Sequence, residues 1–253
     1  MNAFEGALRY LNDPLNWTRN NGILDLMGDH LAISGLAMLF GLLVALPLGI
    51  WLGHTGRGGS FAVGISNTSR AVPTLAILTI MAITPLGFTI WAPVIALAVF
   101  AVPPILANTY VGFREVDRDV LEAARAMGMG EGQVILRAEL PLAMRLITTG
   151  VRTAAVQVVA TATLAALLAG GTLGRIIRSG FGTQDYGEVL AGALLVALLA
   201  LLTEVVLAGV GWALTPGLKR IPFRGWFRRG GAPAETEEAL AALPVGEVAR
   251  PTV

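Results

Sequence analysis

The sequence predicts an all-α membrane protein with about five transmembrane helices and one long polar loop near its middle. Three observations predict it. Of the 253 residues, 55% are hydrophobic and 14% charged, with a mean hydropathy of +0.69; soluble domains carry about 25% charged residues. Apolar, nearly charge-free runs of membrane-spanning length recur along the chain. Between two of them lies Glu115–Pro141, EVDRDVLEAARAMGMGEGQVILRAELP, which holds six of the seventeen acidic residues.

The composition also excludes. There are no cysteines, so disulfides, thiolate metal sites and Cys nucleophiles are out. The sole lysine, Lys219, sits in LKRIP, so no P-loop lysine exists and the chain does not cradle ATP by itself. Gly128-Met129-Gly130-Glu131-Gly132 lacks the G-K-[ST] ending of a phosphate loop. No HExxH, G-x-S-x-G or Cys/His cluster occurs, so no catalytic residue and no metal site are predicted. A net charge of +1 gives no reason to expect nucleic acid.

Taken in order, residues 1–29 form a polar leader without a basic n-region, so a cleaved signal peptide is not expected. Within it Trp17, Ile23, Leu24 and Leu26 fit a short helix lying at the membrane surface; a poorly ordered leader is the alternative. Leu31–Gly53 is a charge-free first span, bracketed by His30 and His54, which read as interface markers. Ala37, Gly41, Ala45, Gly49 and Gly53 fall every fourth position and make a small-residue stripe for close helix packing. HTGRGGS, 54–60, is a turn. The run 71–84 is too short to cross alone, so the second span begins near Phe61 and carries Ser66, Asn67, Thr68, Ser69 and Arg70 into the membrane. Thr89–Phe113 is the third span, with a bend expected at Pro103-Pro104.

Leu146–Gly170 is the fourth span, bearing Arg152 and Gln157 near its start and a largely small face of Gly150, Ala154, Val158, Ala162, Ala166 and Gly170. Residues 171–186 are a Gly-rich connector with a helical turn or two around Ile176-Ile177. Gly187–Leu214 is the fifth span. Glu204 shares a face there with Gly192, Val196, Ala200 and Ala208, and so should look toward another helix. The division is a leader, 1–29; a membrane domain, 30–216, containing the loop 114–141; and a tail, 217–253. That tail opens with basic and aromatic residues suited to anionic lipid headgroups and ends Pro-, Ala- and Glu-rich, a disordered composition.

Basic residues set the orientation. With the 115–141 island in the cytoplasm, that side holds Arg57, Arg114, Arg118, Arg125, Arg137, Arg145 and the 219–229 cluster. The outer side holds Arg9, Arg19, Arg175 and Arg178. The N-terminus is then outside and the C-terminus inside. Arg70, Arg152 and Glu204 lie at similar depth, so Glu204 is expected to pair with Arg152 or Arg70, and Asn67, Ser69 and Gln157 are candidates to line a polar path.

Within the island, Val116, Val120, Ala124 and Met127 recur at helical spacing, predicting a helix over 117–127 that ends at Gly128 in a left-handed turn. A second short helix, about 132–137, is expected to stop before Pro141. Two short helices at a sharp turn make a knob, with Glu122 near its tip and the small Ala123 and Ala124 admitting another surface. A solvated connecting loop is the bland alternative.

The spacing Glu122-Ala123-Ala124, x3, Gly128, x9, Ala138, x, Leu140-Pro141 resembles the cytoplasmic coupling loop of the membrane subunit of binding-protein-dependent ABC importers; Ala138 departs from the long aliphatic usual there. Over about 31–214 the chain is similar to type I (MetI-like) ABC importer permeases. Arg70-Ala71-Val72-Pro73-Thr74-Leu75-Ala76 and Gly170-Gly171-Thr172-Leu173-Gly174 resemble the osmoprotectant branch, whose solutes are glycine betaine, choline, carnitine and related quaternary ammonium compounds. Methionine and other amino-acid permeases share similar stretches.

The resemblance implies a bacterial inner-membrane protein that is not itself an enzyme. A second permease subunit, identical or homologous, ABC ATPase subunits carrying ATP-Mg and an extracytoplasmic solute-binding protein would be its partners. Glu122, Ala123, Ala124 and Gly128 would enter a groove on the ATPase, and Leu140 and Pro141 would fix the return into the fourth span. A passive osmotically gated channel and a membrane-bound enzyme are the rivals from other classes.

Overall fold

The computed structural model describes residues 2–59, 64, 72–87, 89–167 and 171–214. In chain order the helices are α1 (Ala3–Asn12), α2 (Pro14–Thr18), α3 (Ile23–Thr55), α4 (Thr74–Ala82), α5 (Trp91–Arg114), α6 (Arg118–Ala126), α7 (Glu131–Val134), α8 (Leu140–Thr161), α9 (Gly174–Thr183) and α10 (Tyr186–Leu214). A π turn, Ile135–Glu139, joins α7 to α8, and a 3-10 turn, Ala162–Leu167, extends α8.

Among the described residues four helical stretches are long and apolar enough to cross a membrane: Pro14–Thr55, Trp91–Arg114, Glu131–Leu167 and Tyr186–Leu214. They correspond to the expected first, third, fourth and fifth spans. Of the expected second span, Thr74–Ala82 is helical and lies against α5. Ser66, Asn67, Thr68, Ser69 and Arg70 fall outside the described residues, as do Gly170 and the tail.

The small-residue stripe of α3 seats that helix on α5. All five of its residues are buried. A Cβ added at Gly41, Gly49 or Gly53 would fall 2.7, 2.7 or 2.5 Å from the Cβ of Ala101, Thr109 or Phe113. In lipid, association rests on such close packing because tails are as apolar as the helices. Gly49→Leu is therefore expected to lower the thermal midpoint of the detergent-solubilised protein, with overpacking costing about 1–3 kcal/mol. An unchanged midpoint would mean that this contact does not form.

The α8 face behaves alike. An added Cβ on Gly150 would come within 2.6 Å of Asn108 Cβ on α5, and Ala154, Val158, Ala162 and Ala166 are buried. The central core joins these three helices through Ile33, Leu97, Ile105, Leu106, Ala154 and Val158. Helix α5 runs unbroken through Pro103 and Pro104.

The leader differs from both readings of it. Ile23 and Leu26 do not lie in a surface helix; they belong to α3 and are buried with Val159, Leu173, Ile176, Val196 and Leu199. Helix α1 lies against the start of α10, where a Cβ on Gly187 would meet the backbone of Gly6 at 2.7 Å. His30 is fully buried, with Nε2 2.9 Å from the Val159 carbonyl. At 33 residues, α3 spans about 50 Å, more than the roughly 30 Å of a hydrocarbon core.

At the opposite end of the bundle, α6 begins at Asp117, whose Oδ1 accepts the Asp119 N–H at 3.0 Å. It ends at Gly128, φ +83°. The Gly128 N–H donates to Arg125 O (2.9 Å) and the Met129 N–H to Ala124 O (3.2 Å), the paired bonds of a left-handed helix stop.

The second short helix does not stop before Pro141. Helix α7, the π turn and α8 form one continuous helix with Pro141 in the first turn of α8. Pro lacks an N–H and its ring collides with the carbonyl four residues back in an α-helix. The wider π turn, with the Leu140 N–H donating to Ile135 O, lets the helix continue past it.

Candidate functional site

Two places gather the residues singled out by sequence. The first is the knob formed by α6 and α7. Glu122, Ala123, Met127 and Gly128 are exposed, whereas Ala124 is buried against the chain's own loop. The apolar residues that share a helical period therefore divide. Val116, just ahead of α6, and Ala124 are buried, and Val120 and Met127 face outward beside Ala123. Of the two alanines, Ala123 is the one whose face is open. Leu140 is half-buried against Phe113, Ala143 and Ile147, while Pro141 and Ala138 are half-buried along the continuous helix.

The knob is braced by charges that sequence reasoning missed. Arg125 on α6 donates from Nε and Nη2 to the Glu131 carboxylate at 3.1 and 3.2 Å. Those hydrogen bonds, and then the charge of Glu131, hold the Arg125 guanidinium above its usual range. His54, at the end of α3, bonds through Nδ1 to Glu139 Oε2 at 2.7 Å and faces Glu131 Oε2 with Nε2 at 3.4 Å. Glu139 is 2% exposed. No local signal announced it, since Glu139 is one of six acidic residues in the polar island.

The second place is a groove of about 450 Å³ between α8 and α10, lined by Thr149, Arg152, Thr153, Val156, Gln157 and Glu204, with Ala160 at its edge. Arg152 donates from Nη2 to Glu204 Oε1, the ion pair expected from their depth. Arg70, the other expected partner, lies outside the described residues, as do Asn67 and Ser69. The paired side chains are 36% and 35% exposed, so the pair looks into the groove and is not sealed between helices.

Residues 45–220 match the family described as binding-protein-dependent transport system inner membrane component. The chain belongs to this family. It is thus a multi-pass permease of the inner membrane, and the matched region takes in the end of α3, the knob and the groove.

The permease is 39% identical over 188 residues to the carnitine transport permease protein OpuCB of Listeria monocytogenes, covering 74% of this chain and 86% of the relative. It is 34% identical over 217 residues to the glycine betaine/carnitine/choline transport system permease protein OpuCB of Bacillus subtilis, covering 83% and 100%. With the osmoprotectant import permease protein OsmY of Salmonella typhimurium it shares 34% over 201 residues, 78% and 84% of the two chains. Its fold matches a chain of the inward-facing MetNI methionine ABC transporter with a TM-score of 0.67, covering 81% of this chain and 99% of that one at 22% identity.

Proposed function

We propose that this permease is the membrane subunit of an ATP-driven importer for osmoprotectants: glycine betaine, choline, carnitine or related quaternary ammonium solutes. The observation that carries the solute class is the 34–39% identity, over 74–83% of the chain, to permeases named for those solutes or for osmoprotectants. The likeness to the methionine transporter, at 22% identity, speaks for the fold alone.

The coupling device is the knob. In this reading Glu122, Ala123 and Gly128, with Val120 and Met127 beside them, meet a groove on a separate ABC ATPase, which holds the ATP-Mg. Ala124 seats the helix from behind. Leu140 and Pro141 carry the motion into α8 through the continuous α7–π–α8 rod. A second permease subunit completes the path, and an extracytoplasmic binding protein delivers the solute at the leader end. ATP-driven closure would tip the packed helices as rigid bodies between inward-open and outward-open arrangements. Arg152, Gln157 and Glu204 line the path, as charges at membrane depth face water or a partner.

Aromatic side chains that would cage a quaternary ammonium are scattered; Phe40 and Trp91 meet edge to face at 6.2 Å. Solute choice therefore rests mainly on the binding protein. Proteoliposomes containing the permease, its ATPase and its binding protein are expected to take up labelled glycine betaine with ATP and to ignore labelled methionine. Methionine uptake in its place would overturn the solute class, and betaine flux without ATP would overturn the coupled importer.

A further inference from the structure

We propose that His54 is a positioning residue that ties the knob to the first membrane helix, so that displacement of α6 is passed to α3 as well as to α8. This rests on the reading of the knob as the ATPase contact. The chain links α6 to α5 and α8 covalently, but α3 ends 60 residues before the knob and reaches it through side chains. His54 is the residue that makes that reach: Nδ1 to Glu139 at the π turn, 2.7 Å, and Nε2 to Glu131 at the start of α7, 3.4 Å. Glu131 in turn holds Arg125 on α6. Four charged or titratable groups from α3, α6, α7 and the π turn are thus linked in series.

The buried end of this series makes it a tether and not a surface decoration. Glu139 is 2% exposed, and among the described residues His54 is its only hydrogen-bond partner. A carboxylate buried without a partner is strongly disfavoured, so Glu139 holds His54 in place as the loop moves. The π turn supplies the register: one extra residue per turn at Ile135–Glu139 brings Glu139 to the α3 side, and such turns recur at functional sites. A cavity of about 200 Å³ beside the tether is bounded by His54 and Glu139 and also by Glu122 and Arg125, so the tether borders the proposed contact face.

The test uses the complete transporter in proteoliposomes, with His54→Ala, His54→Asn and Glu122→Lys prepared in parallel. Asn keeps a side-chain N–H near the position of Nδ1 and loses the reach to Glu131. His54→Ala is expected to retain its ATPase on purification and to continue hydrolysing ATP while solute uptake falls roughly tenfold, within the range reported for residues that carry coupling. His54→Asn is expected to recover most of that uptake, because Glu139 stays bonded to α3 and shares one continuous helix with Glu131, which still holds Arg125.

Normal uptake in His54→Ala would overturn the proposal. So would loss of the ATPase or of membrane insertion in that variant, which would make His54 a folding residue. Equal impairment of the Ala and Asn variants would also overturn it, because the hydrogen bond to Glu139 would not be what matters. Glu122→Lys reports on the contact face separately: if it keeps the ATPase, the knob reading fails whatever His54 does.

Discussion

Glu122→Lys is expected to strip the ATPase from the purified complex while the permease itself still inserts and folds. Glu122 is exposed on α6 and has no hydrogen bond to the described residues, so reversing its charge removes nothing that holds the spans together. At a docked interface the same change sets like charges against whatever receives the carboxylate. A loss of about 2–3 kcal/mol, typical for disrupting an interfacial charge contact, corresponds to roughly a 30- to 150-fold weaker association.

Gly128→Val should act through shape. A side chain at Gly128 meets open space, so there is no clash to relieve. The φ of +83° is the difficulty, since a left-handed conformation costs a non-glycine residue about 1–2 kcal/mol, most for a β-branched one. The turn would relax and swing α6 away from α7, misplacing Ala123 and Met127. Gly128→Asp adds a negative charge to that strain and is expected to weaken the complex as well. ATPase co-purification through a tag on the permease checks all three, with the detergent thermal midpoint as the folding control. Undiminished co-purification of Glu122→Lys and Gly128→Asp would remove the knob from the coupling role.

How much of this was legible depends on whether a feature is local. The stripe Ala37, Gly41, Ala45, Gly49, Gly53 was readable because small residues every fourth position have one physical use in lipid, close approach of another helix, and all five are buried. The stop at Gly128 was readable for a similar local reason, since glycine adopts a left-handed turn without cost.

Three things were not legible. Helix α3 begins at Ile23, not Leu31, because Asp25, Asp29 and His30 look like a span boundary. Yet Asp25 accepts the Asn21 N–H at 3.0 Å, and His30 Nε2 lies 2.9 Å from the Val159 carbonyl, 129 positions away, a contact no local pattern announces. Pro141 reads as a stop only if the preceding turn is α-helical, and a π turn removes that premise. His54 and Glu139 are 85 positions apart, so their contact exists only once the bundle is assembled.

The Arg152–Glu204 pair is where a structural and a transport role can be separated, and single and double substitutions differ in kind. Arg152→Leu leaves Glu204 facing the groove with no cation. A charge near the centre of a membrane helix costs about 3 kcal/mol on an insertion scale. Because Glu204 is 35% exposed, solvent screening cuts this to about 1–2 kcal/mol. That is enough to reduce the yield of monodisperse protein several-fold in a marginally stable membrane domain.

Glu204→Gln is milder for the fold, since the amide oxygen still accepts from the guanidinium, but it leaves Arg152 uncompensated in the groove. Uptake is expected to fall even where assembly is normal. The double substitution Arg152→Leu/Glu204→Leu decides the matter. Replacing both members of an ion pair with apolar residues is often neutral or stabilising, so folding should return to the level of the unmodified protein. If uptake returns with it, the pair does no more than fix α8 against α10. The expected result is restored assembly with uptake still low, because an apolar lining along a groove of Thr149, Thr153 and Gln157 removes the polar surface that a hydrated solute crosses. Normal assembly and normal uptake in Glu204→Gln would exclude the pair from both roles.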